Sequence, residues 1–310
     1  MQNSRWGIIY CPKQGVYRSH KRWERIRTYL TEQKIDYDFV QSEGIESVTR
    51  LTKMLCENGY RTIIIVGGDS ALNYALNALL SLSDEVRTET ALGIIPNGRG
   101  NDFAGFWGFS EQQDKQTVEW LAKRRLRKVD VGYIRYEGMT DETKPIYFLN
   151  CINVGLTARI MKLKSQTRRV FGLNTLTYLS SAFLLLFQRM EHKVHFRVNE
   201  DTINRKVMSV CVGSCRGYGQ TPNAVPYNGC LDVSVISHPE LTQLFNGLWM
   251  LFTGRLLNHK NVKPYRTPRT IIFEDIHGAT VSIDGIVMPE IKAPMKIGLK
   301  SEWINFIIPD

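Results

Sequence analysis

At 310 residues, with 43% hydrophobic and 23% charged residues, the chain has material for two domains, each with a core. That ordinary globular balance excludes a low-complexity chain. The longest apolar stretch, 179–187, is far short of the ~20 residues that cross a bilayer. Forty Lys and Arg against 30 Asp and Glu give +10, which favours anionic partners: phosphates, nucleic acid or an acidic membrane surface.

Residues 5–130 alternate strand and helix signals. Strands are expected at Trp6–Tyr10, Tyr37–Gln41, Thr62–Val66 and Leu92–Ile95, with helices at about 18–34, 45–58, 71–82 and 112–125. Such alternation argues for a parallel sheet with right-handed crossovers. The third strand runs into Gly67-Gly68-Asp69-Ser70 and then an amphipathic helix starting at Ala71-Leu72-Asn73. Glycines there let the backbone turn sharply and approach a ligand, and a helix N-terminus suits a phosphate. The ordinary alternative is a tight strand–helix turn with Asp69 as N-cap. The fourth strand ends in a second glycine-rich turn, Pro96-Asn97-Gly98-Arg99-Gly100-Asn101-Asp102-Phe103-Ala104. Two such loops on successive strands emerge at one edge of a parallel sheet, where ligands of open α/β sheets bind.

From Val129 the pattern changes to short strands with turn punctuation. Asp130–Ile134 and Ile146–Ile152 come first, then Lys193–Val198, Val207–Val212, Leu231–Ile236, Thr270–Glu274 and Thr280–Ile283. Helical stretches at 173–190 and Leu241–Leu257 interrupt them. This reads as a sandwich or barrel-like second domain. The six cysteines lie mostly in apolar runs without zinc-site spacing, and read as reduced residues of a cytosolic protein. The run Lys123–Lys128 reads as a solvated face. The apolar helix at 173–190 follows Lys162, Lys164, Arg168 and Arg169. That pairing suits either anionic headgroups or an ordinary core helix with solvated flanks.

Gly67-Gly68-Asp69 and the 96–104 stretch resemble the G-G-D-G-T and P-x-G-T-G-N-D-F-A motifs of the diacylglycerol kinase catalytic-domain family. That family includes soluble bacterial lipid kinases and sphingosine and ceramide kinases. Cys11-Pro12-Lys13-Gln14-Gly15 resembles its N-P-x-S-G first loop. Asn228–Val233 resembles D-G-x-L-D-V, and Ile283-Asp284-Gly285 the start of its D-G-E motif. The resemblance implies an N-terminal doubly wound nucleotide-binding α/β domain, residues 1–129 completed by roughly 296–310, and a β-rich lipid-substrate sandwich, 130–295. It implies ATP and Mg²⁺, with the nucleotide at residues 11–15, 67–73 and Gly98–Asp102. Asp69 and Asp284 are the implied catalytic acids, and Asp69 with Asn228 the metal ligands. The partners implied are a lipid substrate, an anionic membrane surface touched peripherally from the cytoplasm and a second copy in a homodimer, with no nucleic acid.

The chain departs from the motifs. Ser70-Ala71 replaces Gly-Thr, Arg99 replaces Thr, Asn228 replaces a metal-linked Asp, and Ile286 stands where the family has the Glu that serves as base. Asp284 or Glu290 could substitute. An active lipid kinase and a non-catalytic nucleotide- or lipid-binding member are therefore both open. So is a kinase of a soluble substrate, since the G-G-D turn also resembles that of nicotinamide nucleotide kinases and phosphofructokinases.

Overall fold

The computed structural model describes residues 5–12, 17–98, 100–140, 142–160, 191–217, 219–238, 240, 243, 246–247, 249–250 and 253–310. The chain divides into two compact units, 1–131 with 301–310, and 132–300.

In the first unit, strands β1 (Trp6–Tyr10), β2 (Tyr37–Gln41), β3 (Thr62–Gly67) and β4 (Ala91–Pro96) alternate with helices α1 (Tyr17–Glu32), α2 (Ser47–Glu57), α3 (Asp69–Ser81) and α4 (Asp84–Glu89). Helices α5 (Asp102–Phe106) and α6 (Asp114–Lys123) follow. The strands are parallel in the order β2-β1-β3-β4, and the end of the late strand Met295–Ile307 pairs beside β4, Asn305 opposite Ala91. Ile63, Ile64 and Ile65 are all fully buried. A strand covered on both faces reads as a continuous apolar run, which is why β3 was legible. Helix α2 buries Val48, Leu51, Thr52, Leu55 and Cys56, a spacing that puts them on one helical stripe. On α1, Trp23 stacks on Tyr10 with ring centroids 4.8 Å apart. Tyr10 lies opposite Val66, and Gly67 opposite Pro96, so the three strands end together and their following loops leave one edge.

The second unit is entered along β5 (Leu126–Tyr136). Its other strands are β6 (Ile146–Phe148), β7 (Cys151–Gly155), β8 (His192–Val198), β9 (Asp201–Val207), β10 (Ser209–Gly213), β11 (Leu231–Ile236), β12 (Val262–Thr267), β13 (Ile271–Asp275), β14 (Val281–Ile283), β15 (Ile286–Val287) and β16, the late strand Met295–Ile307. Six of them form an antiparallel sheet ordered β12-β11-β10-β7-β14-β15. The early part of β16, with β13, β8 and β9, forms a second antiparallel layer. One core joins them: Ile152, Val154, Val212 and Val233 from the first layer meet Phe196, Phe273 and Ile297 from the second. The Phe196 and Phe273 rings stack at 4.5 Å. The expected class, an α/β domain with a β-sandwich domain, is the one observed.

Several boundaries differ. The strand expected at 146–152 breaks at Leu149-Asn150, where backbone N–H groups turn to a side chain described below. The strand expected at 207–212 is the last residue of β9, an interruption at Met208, and β10. Strand β9 was missed because only Ile203 and Val207 of its seven residues are buried. Strand β12 was missed because it carries Pro264, which suits an edge strand. Helix α4 buries nothing and so has no apolar period to read. The stretch 173–190 and its preceding basic residues lie outside the described residues. Within 241–257 the described positions 243, 246–247 and 249–250 are helical, and a short 3₁₀ turn follows at Leu256–Asn258. Among the described residues, no helix is long and apolar enough to cross a membrane.

Gly132 on β5 faces Phe148 on β6, and a Cβ at Gly132 would overlap that ring. Gly132→Ala should therefore cost at least about 1–3 kcal/mol through overpacking. A urea titration that leaves the midpoint unchanged would show that the ring can move aside.

Candidate functional site

The two glycine loops of the first unit are joined by one carboxylate. Asp69, 7% exposed, accepts the Asp102 N–H on Oδ2 at 2.8 Å and the Phe103 N–H on Oδ1 at 3.1 Å. These are N–H groups of the first turn of α5, which have no partner inside the helix. Asp69 therefore caps a helix that starts 33 residues later, while the N-cap of its own helix is Gly68. Gly68 and Gly98 touch: a Cβ on either would come within 2.8 or 2.5 Å of the other's Cα. Both positions need glycine for this approach, since any side chain would part the loops. Asn101, in the left-handed region at φ 55°, folds back so that its Oδ1 accepts the Gly98 N–H at 2.8 Å.

A second set of contacts draws in the first loop. Asn97 donates from its backbone to Gly67 O at 2.7 Å and from Nδ2 to Cys11 O at 3.0 Å. Its Oδ1 accepts from Arg22 Nη1 at 2.9 Å. Arg22 in turn grips Asp114, with Nη2 at 2.6 Å, and Arg25 adds a contact to the same carboxylate at 2.7 Å. Asn101 Nδ2 donates to Glu111 at 3.1 Å. Sequence reasoning missed Asn97, Arg22, Glu111 and Asp114. Asn97 occupies the variable position of its motif; Arg22 and Asp114 sit on helices, and Glu111 in the turn before α6, where polar residues look solvated.

Of the remaining expected residues, Cys11 and Pro12 are half-buried at the edge of the loops. Burial pushes the Cys11 thiol up, against a weaker opposing hydrogen bond from Ser42, so it is a protonated thiol and no nucleophile at neutral pH. Ala71 and Leu72 are each 1% exposed and Asn73 is buried, so these side chains serve the core. Ser70 is half-buried and Gly100 exposed. Lys13, Gln14, Gly15 and Arg99 lie outside the described residues.

In the second unit, Ile283 pairs with Ile286, leaving Asp284-Gly285 as a two-residue hairpin turn. Both turn residues have positive φ, 45° and 82°, the conformation that Asp-Gly supplies in such turns. The buried Asp284 carboxylate accepts three backbone N–H groups, from Leu149 at 2.8 Å, Asn150 at 2.9 Å and Cys151 at 3.0 Å. These bonds break the strand expected at 146–152. Ile286 is half-buried and Glu290 exposed. Asn228 is exposed, and its Oδ1 accepts the Cys230 N–H at 3.0 Å. Nearby Asp232 is held by Arg266 through Nε at 2.6 Å and Nη2 at 2.9 Å, and Nη2 also reaches Asn223 O.

Residues 5–134 match the family model described as the diacylglycerol kinase catalytic domain, and residues 150–302 match that of the YegS C-terminal NAD kinase beta sandwich-like domain. The chain belongs to the diacylglycerol kinase catalytic-domain family. Among relatives, it is 27% identical over 251 residues to a Chromohalobacter salexigens protein named "Probable lipid kinase YegS-like", covering 78% of this chain and 75% of that one. It is 20% identical over 283 residues to a Staphylococcus saprophyticus protein named diacylglycerol kinase, covering 90% and 87%. A Bacillus anthracis crystal structure superposes with a TM-score of 0.74 at 19% identity, over 98% of this chain and 97% of that one, which shows the shared fold. The family is one of lipid kinases.

Hydrogen bonds to a charged group are worth about 1.5–3 kcal/mol. Asp69→Asn keeps one acceptor but turns an NH₂ group toward the other N–H, so a loss of that order is expected. The check is the urea midpoint at constant slope; a midpoint equal to wild type would mean that the loops do not depend on Asp69.

Proposed function

We propose that this chain is an ATP-dependent lipid kinase that transfers the γ-phosphoryl group to the hydroxyl of a diacylglycerol-like or sphingoid lipid. The observation that carries the reading is the joining of the two glycine loops by Asp69, at the common edge where three parallel strands end, in a member of a lipid kinase family. Backbone N–H groups of the loops after Gly67 and after Gly98 would face the phosphates, with Cys11 beside them. Phosphoryl transfer asks chiefly for such positioning.

Mg²⁺ fits the first unit. Asp69 and Asp102, adjacent through the N–H contact, make a set of one or two carboxylates that leaves the remaining positions to water and phosphate. Bound there, the ion would neutralise phosphate charge. At Asn228 the donors do not fit a hard cation: the amide oxygen serves the turn, and Arg266 already neutralises Asp232. No step is assigned to a metal at that corner.

Asp69 and Asp284 are the acids proposed for catalysis. At least three of the roughly four lone-pair sites of Asp284 are filled by backbone donors, so it acts by holding the 149–151 turn in place more than by taking a proton. The soluble-substrate reading is set aside because relatives that cover most of the chain are named lipid kinase and diacylglycerol kinase. The net charge of +10 supports peripheral contact with an anionic inner membrane face as part of this reading. A non-catalytic role is favoured by the motif departures at Ser70-Ala71, Arg99, Asn228 and above all Ile286, which offers no acceptor at the family's base position.

Mass spectrometry of lipids incubated with protein, ATP and Mg²⁺ tests the reading. General-base catalysis is worth typically about 10²–10⁴-fold, so Ile286→Glu should raise lipid phosphorylation at least about tenfold over a slow wild type. If neither protein phosphorylates any lipid while both bind ATP, the non-catalytic reading replaces this one.

A further inference from the structure

We propose that Asn97 fixes the spacing of the three loops for nucleotide, and that Arg22 and Asp114 are the positioning residues that hold Asn97. The inference rests on the nucleotide reading above and adds residues to it. Among the described residues, Asn97 links all three loops by hydrogen bonds. It sits in the second glycine loop and donates to Gly67 O of the first and to Cys11 O of the loop after β1. Those two bonds use its backbone N–H and its side-chain amide, so its remaining acceptor, Oδ1, decides which way the amide faces. Arg22 supplies that donor.

Arg22 is itself fixed. Its Nε lies 3.1 Å from both Asp114 oxygens and its Nη2 2.6 Å from one of them, a fork-on-carboxylate geometry that a lysine cannot reproduce. The Asp114 side chain is 3% exposed and that of Arg22 13%, so the pair is shielded from salt and water. Its charge is balanced locally. Arg25 pairs with Asp114 and Glu111 lies 3.8 Å from Arg22, giving two cations against two carboxylates. A guanidinium balanced by two carboxylates has little charge to offer a phosphate. Its part is to aim Asn97.

The test is calorimetric titration of the full chain with ADP and Mg²⁺, with thermal unfolding in parallel. Asn305→Ala is the control. It removes another side-chain amide bond of the first unit, Asn305 Nδ2 to Thr88 O at 2.7 Å, at the opposite end of β4. Asn97→Ala should raise Kd at least tenfold, about 1.4 kcal/mol. Arg22→Lys should raise it at least threefold, and Asn305→Ala should leave it unchanged while losing a similar amount of Tm. The proposal is overturned if Asn97→Ala and Arg22→Lys bind within twofold of wild type, or if Asn305→Ala loses as much affinity as Asn97→Ala. Should Asn97→Ala fail to fold, Arg22→Lys against Asn305→Ala decides alone. A wild type that binds no nucleotide would remove the nucleotide reading and this inference with it; a wild type that binds beside variants that bind equally removes only this inference.

Discussion

The first unit depends on a carboxylate whose partners lie on another loop. Asp69 follows a strand that the sheet fixes, and its two oxygens take the first N–H groups of α5. Remove that acceptor and the second glycine loop loses its anchor. The near contact between Gly68 and Gly98 would then open. The strength of the arrangement comes from its setting. The carboxylate is almost dry, the donors are orphans of a helix start, and a charged acceptor makes the bond stronger than an amide would.

The second unit repeats the principle with different parts. Asp284 stands in a tight hairpin turn and gathers three N–H groups from the chain between β6 and β7. Ser214 secures the same turn from the other side, its Oγ donating to Leu149 O and its N–H to Asn150 O. Both acidic motif residues therefore order backbone. This suits a reaction in which the protein contributes geometry and charge placement in preference to covalent steps. It also accounts for how the chain keeps both acids while losing other motif positions. Their structural work continues whatever stands at Ile286.

What could be read in advance followed from burial. Strand β3 announced itself because every side chain is covered, and α2 because its apolar residues recur with the helical period. The sandwich was legible from short apolar strands set off by turns, such as Leu231–Ile236, while β9, with most positions in solvent, carried no apolar signal. In the site, Asp69 could be singled out by its glycines but its partners could not. The natural reading of an acid at a helix start is a cap for that helix, and nothing local marks a donor 33 residues away. The same holds for Arg22, whose contacts lie 75 and 92 positions along the chain. Contacts of that range depend on the fold, and a single sequence has no period that encodes them.

Strand β4 shows what chain order adds to this architecture. One side of β4 pairs at once with β3, but its other side waits for Asn305 and Phe306, and Asn305 also reaches back to Thr88 across 217 positions. During synthesis, that edge of a wholly apolar strand stays bare while the entire second unit is made. An open apolar edge is a template for pairing with other chains. A growing polypeptide of this design therefore has a long interval in which a holdase chaperone would find its most adhesive surface on β4, and the interval closes only when β16 arrives.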